Sequence, residues 1–371
     1  MKKLLLLILL ILVLAPPVAW KLADDRTVDM VVVDASVTDD KVETHAGITW
    51  LTEQMRIRRR NGSPYRLQNY YGYFPDQAES IVRFEPEMLE GIDLLYLCDL
   101  RGVWRSGIEQ FEVLRNPRRD ELLHSGLSLH EVDAVVDYVN SGRTTVAEAF
   151  LFYASHEGGD RSRRKLQEAF GVTWTGWIGG CFNDLSNMFE VPFWARTFYE
   201  REIGQTWDFT GPGIILIEPE LKKFVILKPG VELREASPRI TLTRRDGALA
   251  EDVETGVPIN GWFEIVEANR IEQIRAMIQL SLTGVGDGIM QENRIPTSFP
   301  AIVSQWVERD TYYLAADLGT VPTWLGPAQV RWMPEIRGGI SSITEKHYPG
   351  EEAFWKFYIP FMRNVLNNLA Y

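Results

Sequence analysis

Cysteine is nearly missing from this chain, with two thiols, Cys98 and Cys181, in 371 residues. Two thiols make no disulfide framework for a body of this size, so stability has to come from a buried core. Histidine is sparse as well, at five, and no Cys or His pair shows zinc-ligand spacing, so no metal site is expected. Basic charge is in short supply: 39 Lys and Arg stand against 51 Asp and Glu, a formal charge of −12. A surface of that sign repels phosphate backbones, which excludes nucleic acid as the expected partner. The one basic cluster, Arg56-Ile57-Arg58-Arg59-Arg60, follows a helical stretch and reads as a solvated helix end, with a binding patch as the alternative. Past the first twenty residues no long apolar run occurs. The stretch Phe354 to Leu366 carries Lys356, Pro360 and Arg363 inside its apolar pattern, so it predicts an amphipathic helix packed on the body. A channel or transporter is thereby excluded. No internal repeat is visible, and nothing in the sequence asks for a cofactor.

What is present begins with MKKLLLLILLILVLAPPVAW, a short basic start, an unbroken apolar run from Leu4 to Leu14, a Pro pair and Trp20. That is the layout of an export signal. The Ala residues around Pro16 and Pro17 stand in the wrong register for cleavage, so residues 1–22 are expected to stay as a membrane anchor, with cleavage as the alternative. Lys2 and Lys3 keep the start cytoplasmic and place the body outside, in the periplasm or at the cell surface. The membrane is therefore an expected partner through the N-terminal segment.

The following half alternates strand and helix patterns. Asp29 to Asp34 and Asp93 to Asp99 are short apolar runs ending in an acid, of the kind buried in a parallel sheet. Ser128 with Glu131 three residues on forms a capping box, Leu129, Val132, Val136 and Val139 repeat at helical spacing, and Gly142 ends that helix. A strand over Thr144 to Phe152 and a helix over Asp160 to Phe170 follow. This order predicts an α/β fold with a parallel sheet covered on both faces. From Gly213 the runs shorten and read as antiparallel β. Tyr312 to Asp317 is again a buried strand, and a helix over Glu351 to Leu369 closes the chain. The expected organisation is an α/β domain over 28–205, a β-rich insertion or flap over 206–305, and a return of 306–371 to the first sheet.

The run Gly91 to Asp99, then Leu129 to Gly142, then Thr144 to Phe152, resembles the core of class I glutamine-amidotransferase-like domains. The likeness covers about 28–180. It implies a flavodoxin-like layout, and the family includes non-amidotransferase relatives such as the accessory domain of some β-galactosidases. Members with amidotransferase activity expose a nucleophilic Cys in a Gly-x-Cys-x-Gly turn after the corresponding strand. Here that place is Val146-Ala147-Glu148-Ala149-Phe150, so the resemblance implies the branch without amidotransferase chemistry. Cys181, in Gly179-Gly180-Cys181-Phe182, follows no strand-like run and has no His beside it in sequence, as a thiol nucleophile needs.

Open α/β sheets bind ligands at the carboxyl ends of their strands. That rule gathers Asp34, Asp99, Glu148 and Asp317 as candidate acids, with capping of a following helix or turn as the alternative for each. Glu148 stands out because a carboxylate inside an apolar strand is costly unless partnered. His45 opens the helix after the first strand and is a candidate acid or base. The expected catalytic set is Glu148, Asp34, Asp99 and His45. Tyr70, Tyr71, Trp174 and Trp177 are rings for sugar faces, or core packing, and Arg101, Trp104, Asp208 and Asp317 complete the expected binding set. The functional expectation is binding or hydrolysis of cell-envelope or exported polysaccharide. The alternative is a non-catalytic binding or assembly subunit of degenerate amidotransferase-like fold.

Overall fold

The computed structural model describes residues 13–37, 43–74, 80–104, 122–305, 310–320 and 324–370. Short, fully buried, β-rich segments make its centre: β1 (Met30–Asp34), β4 (Leu94–Leu97), β5 (Thr144–Ala147) and β14 (Thr311–Leu314). With β2 (Tyr71–Phe74) beside β1, five strands run parallel in the order β14-β5-β4-β1-β2. Antiparallel strands extend this set on both sides. One flank is β3 (Ser80–Val82); the other runs outward through β13 (Ser298–Gln305), β12 (Ile274–Gln279), β9 (Arg239–Leu242) and β10 (Val257–Pro258).

The result is a ten-stranded mixed sheet, which corrects the expected parallel flavodoxin-like core. The physical reason is pairing at long range. Alternation marks a segment as a strand without naming its neighbour, and much of the stretch read as a separate β-rich insertion hydrogen-bonds into the same sheet through β13 and β14. Other strands of that stretch join β6 (Val172–Phe182), from the part read as the α/β domain, in a second, four-stranded antiparallel sheet of order β8 (Lys223–Leu227), β7 (Gly213–Glu218), β6, β11 (Gly261–Ala268). A bridge between Phe263 and Ala316 stitches β11 to the segment after β14.

Alternation along the parallel strands splits the core. Val32, Tyr96, Val146 and Leu314 face α1 (Glu43–Gln54) and the C-terminal helix, packing with Ile48, Leu51, Phe354 and Met362. Val31, Val33, Leu95 and Leu97 face α2 (Leu129–Asn140) and α3 (Asp160–Phe170), meeting Val132, Val135, Val139 and Phe170. The C-terminal helix carries a π-helical turn at Phe354–Tyr358 before its last stretch, Ile359–Leu369.

The Ser128 capping box is formed: Ser128 N donates to Glu131 Oε2 at 2.7 Å and Glu131 N donates to Ser128 Oγ at 3.3 Å. Ser128→Ala should cost about 1 kcal/mol and lower Tm by about 2 °C. A melt unchanged by the substitution would show the cap to be idle.

No helix among the described residues is long and apolar enough to cross a membrane. The described part of the N-terminal segment is a short helix over 13–21 whose Trp20 Nε1 donates to the Glu53 and Gln54 carbonyls at 3.3 and 3.0 Å. This segment docks on the end of α1. The expectation of a spanning anchor, and with it of a membrane-held extracytoplasmic body, is corrected accordingly; residues 1–12 lie outside the described residues.

Candidate functional site

Parallel strands point their carboxyl ends to one edge. The chain leaves β1 toward β2 and returns on the other side at β4, so the strand order reverses between β1 and β4, the place where open sheets leave room for ligands. Asp34 ends β1, Asp99 and Glu148 follow β4 and β5 closely, and Asp317 comes shortly after β14.

Asp34 is fully buried and fully occupied. Its Oδ1 accepts from Ser36 N and Oγ at 2.9 and 2.8 Å, and its Oδ2 meets His45 Nδ1 at 2.7 Å and the Thr44 hydroxyl. Burial alone would raise this carboxyl, but His45, Thr44 and Ser36 together hold it below the ordinary value. His45 is equally buried, with Nε2 2.8 Å from the Leu67 carbonyl and its ring 4.7 Å from that of Tyr70. Gly72 on β2 is required here, because a Cβ at its φ of 150° would lie 1.8 Å from the Asp34 carbonyl oxygen.

Glu148 stands under the same face. The Tyr96 hydroxyl donates to Oε1, Gly319 N donates to Oε2 at 3.1 Å, and the Tyr96 and Tyr358 hydroxyls are 2.7 Å apart. Burial, and after it the charge of Asp317, pushes Glu148 up to about 8 against the pull of Tyr96 and Gly319. Asp99 is buried too. Its Oδ1 accepts from Arg101 N at 2.9 Å and its Oδ2 lies 2.7 Å from Arg101 Nε. Burial raises Asp99 to about 7, with Arg101 opposing and Asp317 and Asp34 adding to the rise. Asp317, partly buried, accepts from Thr320 N at 3.3 Å and is likewise raised, first by burial. These groups titrate as one coupled set.

Arg101 joins this acidic edge to an aromatic wall. Burial works against its charge, but Asp99, then Asp317 and Asp34, hold its pKa above the ordinary value. Its guanidinium lies 4.8 Å over the ring of Phe150, a residue held at a φ of 72°, left-handed backbone that a bulky side chain adopts only under constraint. From Phe150 the rings continue: Tyr153 at 5.9 Å, then Trp174 and Trp194 each 6.4 Å from Tyr153. Trp262 stacks on Trp194 at 5.2 Å. The constraint on the Phe150 loop comes from Glu264 on β11. Its Oε1 accepts from Phe152 N at 3.1 Å and Tyr153 N at 2.6 Å, and its Oε2 accepts from the Tyr313 hydroxyl at 2.5 Å. Burial raises Glu264 to about 7.

The sequence candidates therefore separate. Asp34, His45, Asp99, Arg101, Glu148 and Asp317 meet at one edge, and Trp174 stands half-buried on the ring wall. Tyr70 is buried, its hydroxyl donating to the Tyr73 carbonyl at 2.7 Å and its ring stacked on Phe74 at 4.3 Å. Tyr71 packs against Phe84, and Trp177 is in the core. Asp208 is exposed, beside Tyr199 and the Trp207 ring cluster of the second sheet's helix. Trp104 closes a short strand, Val103–Trp104, and its side chain lies outside the described residues. Neither thiol is poised for attack: burial raises Cys98 well above its ordinary value and pushes Cys181 up to about 12. Among the described residues no three His, Cys, Asp or Glu are set to hold a metal ion.

Sequence reasoning missed Phe150, Tyr153, Trp194, Trp262 and Glu264. Glu264 carries the signal that singled out Glu148, a carboxylate inside an apolar strand, Trp262-Phe263-Glu264-Ile265-Val266. The rings carry none, since they come from a loop, a helix and a strand of different sheets.

No family model and no curated protein matches the chain. Among solved structures it is similar to a cytoplasmic protein, STM1381, from Salmonella typhimurium LT2, at 11% identity over 93% of this chain and 100% of that one, with a TM-score of 0.36. It is also similar to a β-galactosidase from Bacillus circulans sp. alkalophilus, at 9% identity over 86% of this chain and 31% of that one, with a TM-score of 0.31.

Proposed function

We propose that the carboxyl edge of the parallel strands binds a carbohydrate, as one or more residues of an oligo- or polysaccharide, between Asp99, Asp317 and Arg101 on one side and the Tyr153, Trp174 and Trp194 rings on the other. The carrying observation is Arg101, ion-paired to Asp99 and lying over Phe150. Sugar hydroxyls donate to carboxylates and accept from a guanidinium, while the C–H faces of the pyranose ring lie on indole and phenol rings. Asp317, partly exposed, is the acid that a ligand meets, and Asp99, buried with Arg101, holds that guanidinium in place. Glu148 and Asp34 stand behind them with their own hydrogen bonds and set the charge of the edge.

The same arrangement supports hydrolysis. Asp317, the partly exposed carboxyl of the edge, is raised above its ordinary value first by burial and is the group to protonate a glycosidic oxygen, and a second carboxylate in a different environment completes such a pair. Titration calorimetry of the chain against a panel of neutral oligosaccharides tests the proposal. Binding is expected, weakened at least tenfold by Asp317→Asn, and reducing-end release is expected to fall away as pH rises and the raised Asp317 carboxyl ionises. Absence of heat and of any tryptophan fluorescence change with every member of the panel at millimolar concentration would refute it.

A second reading is a non-catalytic binding subunit, a degenerate relative of the amidotransferase-like domains. It is favoured by one observation: the turn after β5 presents a closed, hydrogen-bonded Glu148 and the strained Phe150 where a nucleophile would stand. Saturable sugar binding without turnover at any pH is its expected result.

A further inference from the structure

A groove of about 550 Å³ opens at the far end of α1 from His45. That volume falls in the range of small-molecule sites. The segment Trp20 to Arg26 forms one wall, Arg56 another, and Arg331 and Trp332, just before α4 (Met333–Thr344), close it with Arg363 from the last helix. Four guanidiniums converge here in a chain of formal charge −12.

Two of them are neutralised. Arg363 reaches Glu335 at 2.7 Å and Asp252 at 2.9 Å, and Arg56 reaches Asp25 at 2.8 Å while lying 4.9 Å over the Trp20 ring. Arg56 sits at a φ of 57° in the turn that ends α1. The other two have no carboxylate partner among the described residues: Arg26 donates only to the Asn367 amide oxygen, at 2.7 Å, and Arg331 is exposed. Beside Arg331, Trp332 is 46% exposed, which leaves indole surface open to a ligand. The remaining lining acid outside these pairs is the exposed Asp24.

We propose that this groove is a second ligand site, for a small molecule carrying a phosphate-type oxyanion on a planar ring. The guanidiniums of Arg26 and Arg331 take the oxyanion, since a planar fork of donors matches phosphate oxygens, and the ring lies on Trp332. The site involves none of the acidic edge, so it stands or falls separately from carbohydrate binding.

The test uses the full chain, phenyl phosphate and inorganic phosphate as probes, and titration calorimetry with tryptophan fluorescence as the readout. Phenyl phosphate is expected to bind saturably with quenching, inorganic phosphate at least tenfold more weakly, and Arg331→Ala and Arg26→Ala each to weaken phenyl phosphate at least tenfold with unchanged circular dichroism. Trp332→Phe is expected to remove most of the quenching and keep binding. The proposal is overturned by any of these: no saturable binding, equal affinity for the two probes, or affinity indifferent to both arginine substitutions. Binding seen only with vesicles of anionic phospholipid, and with neither soluble probe, overturns it as well, because a lipid headgroup is then the ligand.

Discussion

Glu148→Gln is expected to raise the stability of the chain at pH 8.5 by up to a few kcal/mol and to leave it nearly unchanged at pH 5. The folded state holds the Glu148 proton up to about 8, against an ordinary value of 4.5. A carboxyl raised in the folded state contributes stability that is fully present below its unfolded pKa and is lost as pH rises through the folded one. Asp99, raised from 3.8 to about 7, acts in the same direction. Asp34 is lowered and acts in the opposite direction, its contribution disappearing as pH falls. A tenfold change in proton affinity between the folded and unfolded chain is worth ~1.4 kcal/mol, so the wild-type chain should weaken between pH 5 and 8.5, most steeply below 7, where both Glu148 and Asp99 keep protons that the unfolded chain has lost, and level off above about 8. A glutamine suits the site because its amide N–H can donate to the Tyr96 hydroxyl while its oxygen accepts from Gly319 N. Urea denaturation of both proteins at the two pH values measures the effect. If the variant loses stability equally at both, the raised carboxyl is not what shapes the pH dependence.

Arg101→Met should cost about 3 kcal/mol of stability and abolish measurable sugar binding. Breaking a buried ion pair leaves an uncompensated charge, which costs ~3–5 kcal/mol; the lower figure applies at pH 8.5, above the value of about 7 at which Asp99 ionises, because the Arg101 side chain is 24% exposed. Met keeps an apolar stem over Phe150, so the loss reports charge and hydrogen bonding instead of a cavity. The double variant Arg101→Met with Asp99→Asn should recover most of that stability, because neither charge is then left alone, while sugar binding stays lost. A double variant no more stable than the single one would mean that Arg101 acts through packing.

The acidic edge was legible because an acid directly after an apolar run is a local pattern. Asp34, Asp99, Glu148 and Asp317 each carry it, and parallel pairing does the rest, bringing residues up to 283 positions apart onto neighbouring strand tips. Sheet membership was not legible. The β12 and β13 strands look like any short antiparallel pair, and it is the pairing of β13 with β14, from Ile302–Leu314 to Gln305–Thr311, that fixes them to the parallel set. The tryptophans show the same limit. Trp174 and Trp177 belong to one strand interrupted by a bulge between Trp174 and Ile178, which leaves the first ring half-buried and sends the second into the core. Spacing in sequence does not announce a bulge. The docking of residues 13–21 was not legible either: composition describes affinity for an apolar environment, and it does not announce that Trp20 donates to the Glu53 and Gln54 carbonyls at the end of α1.

The hydroxyl relay from Glu148 through Tyr96 ends at Tyr358, on the π-helical turn of the C-terminal helix. The protonation of the edge is thus wired to the last twenty residues of the polypeptide, which supply no acid of the site themselves. Anything that lifts this helix admits water to Tyr96, lets Glu148 ionise near neutral pH, and adds negative charge beside Asp99 and Asp317. A tail that looks like packing material therefore sets how acidic the opposite end of its own relay is.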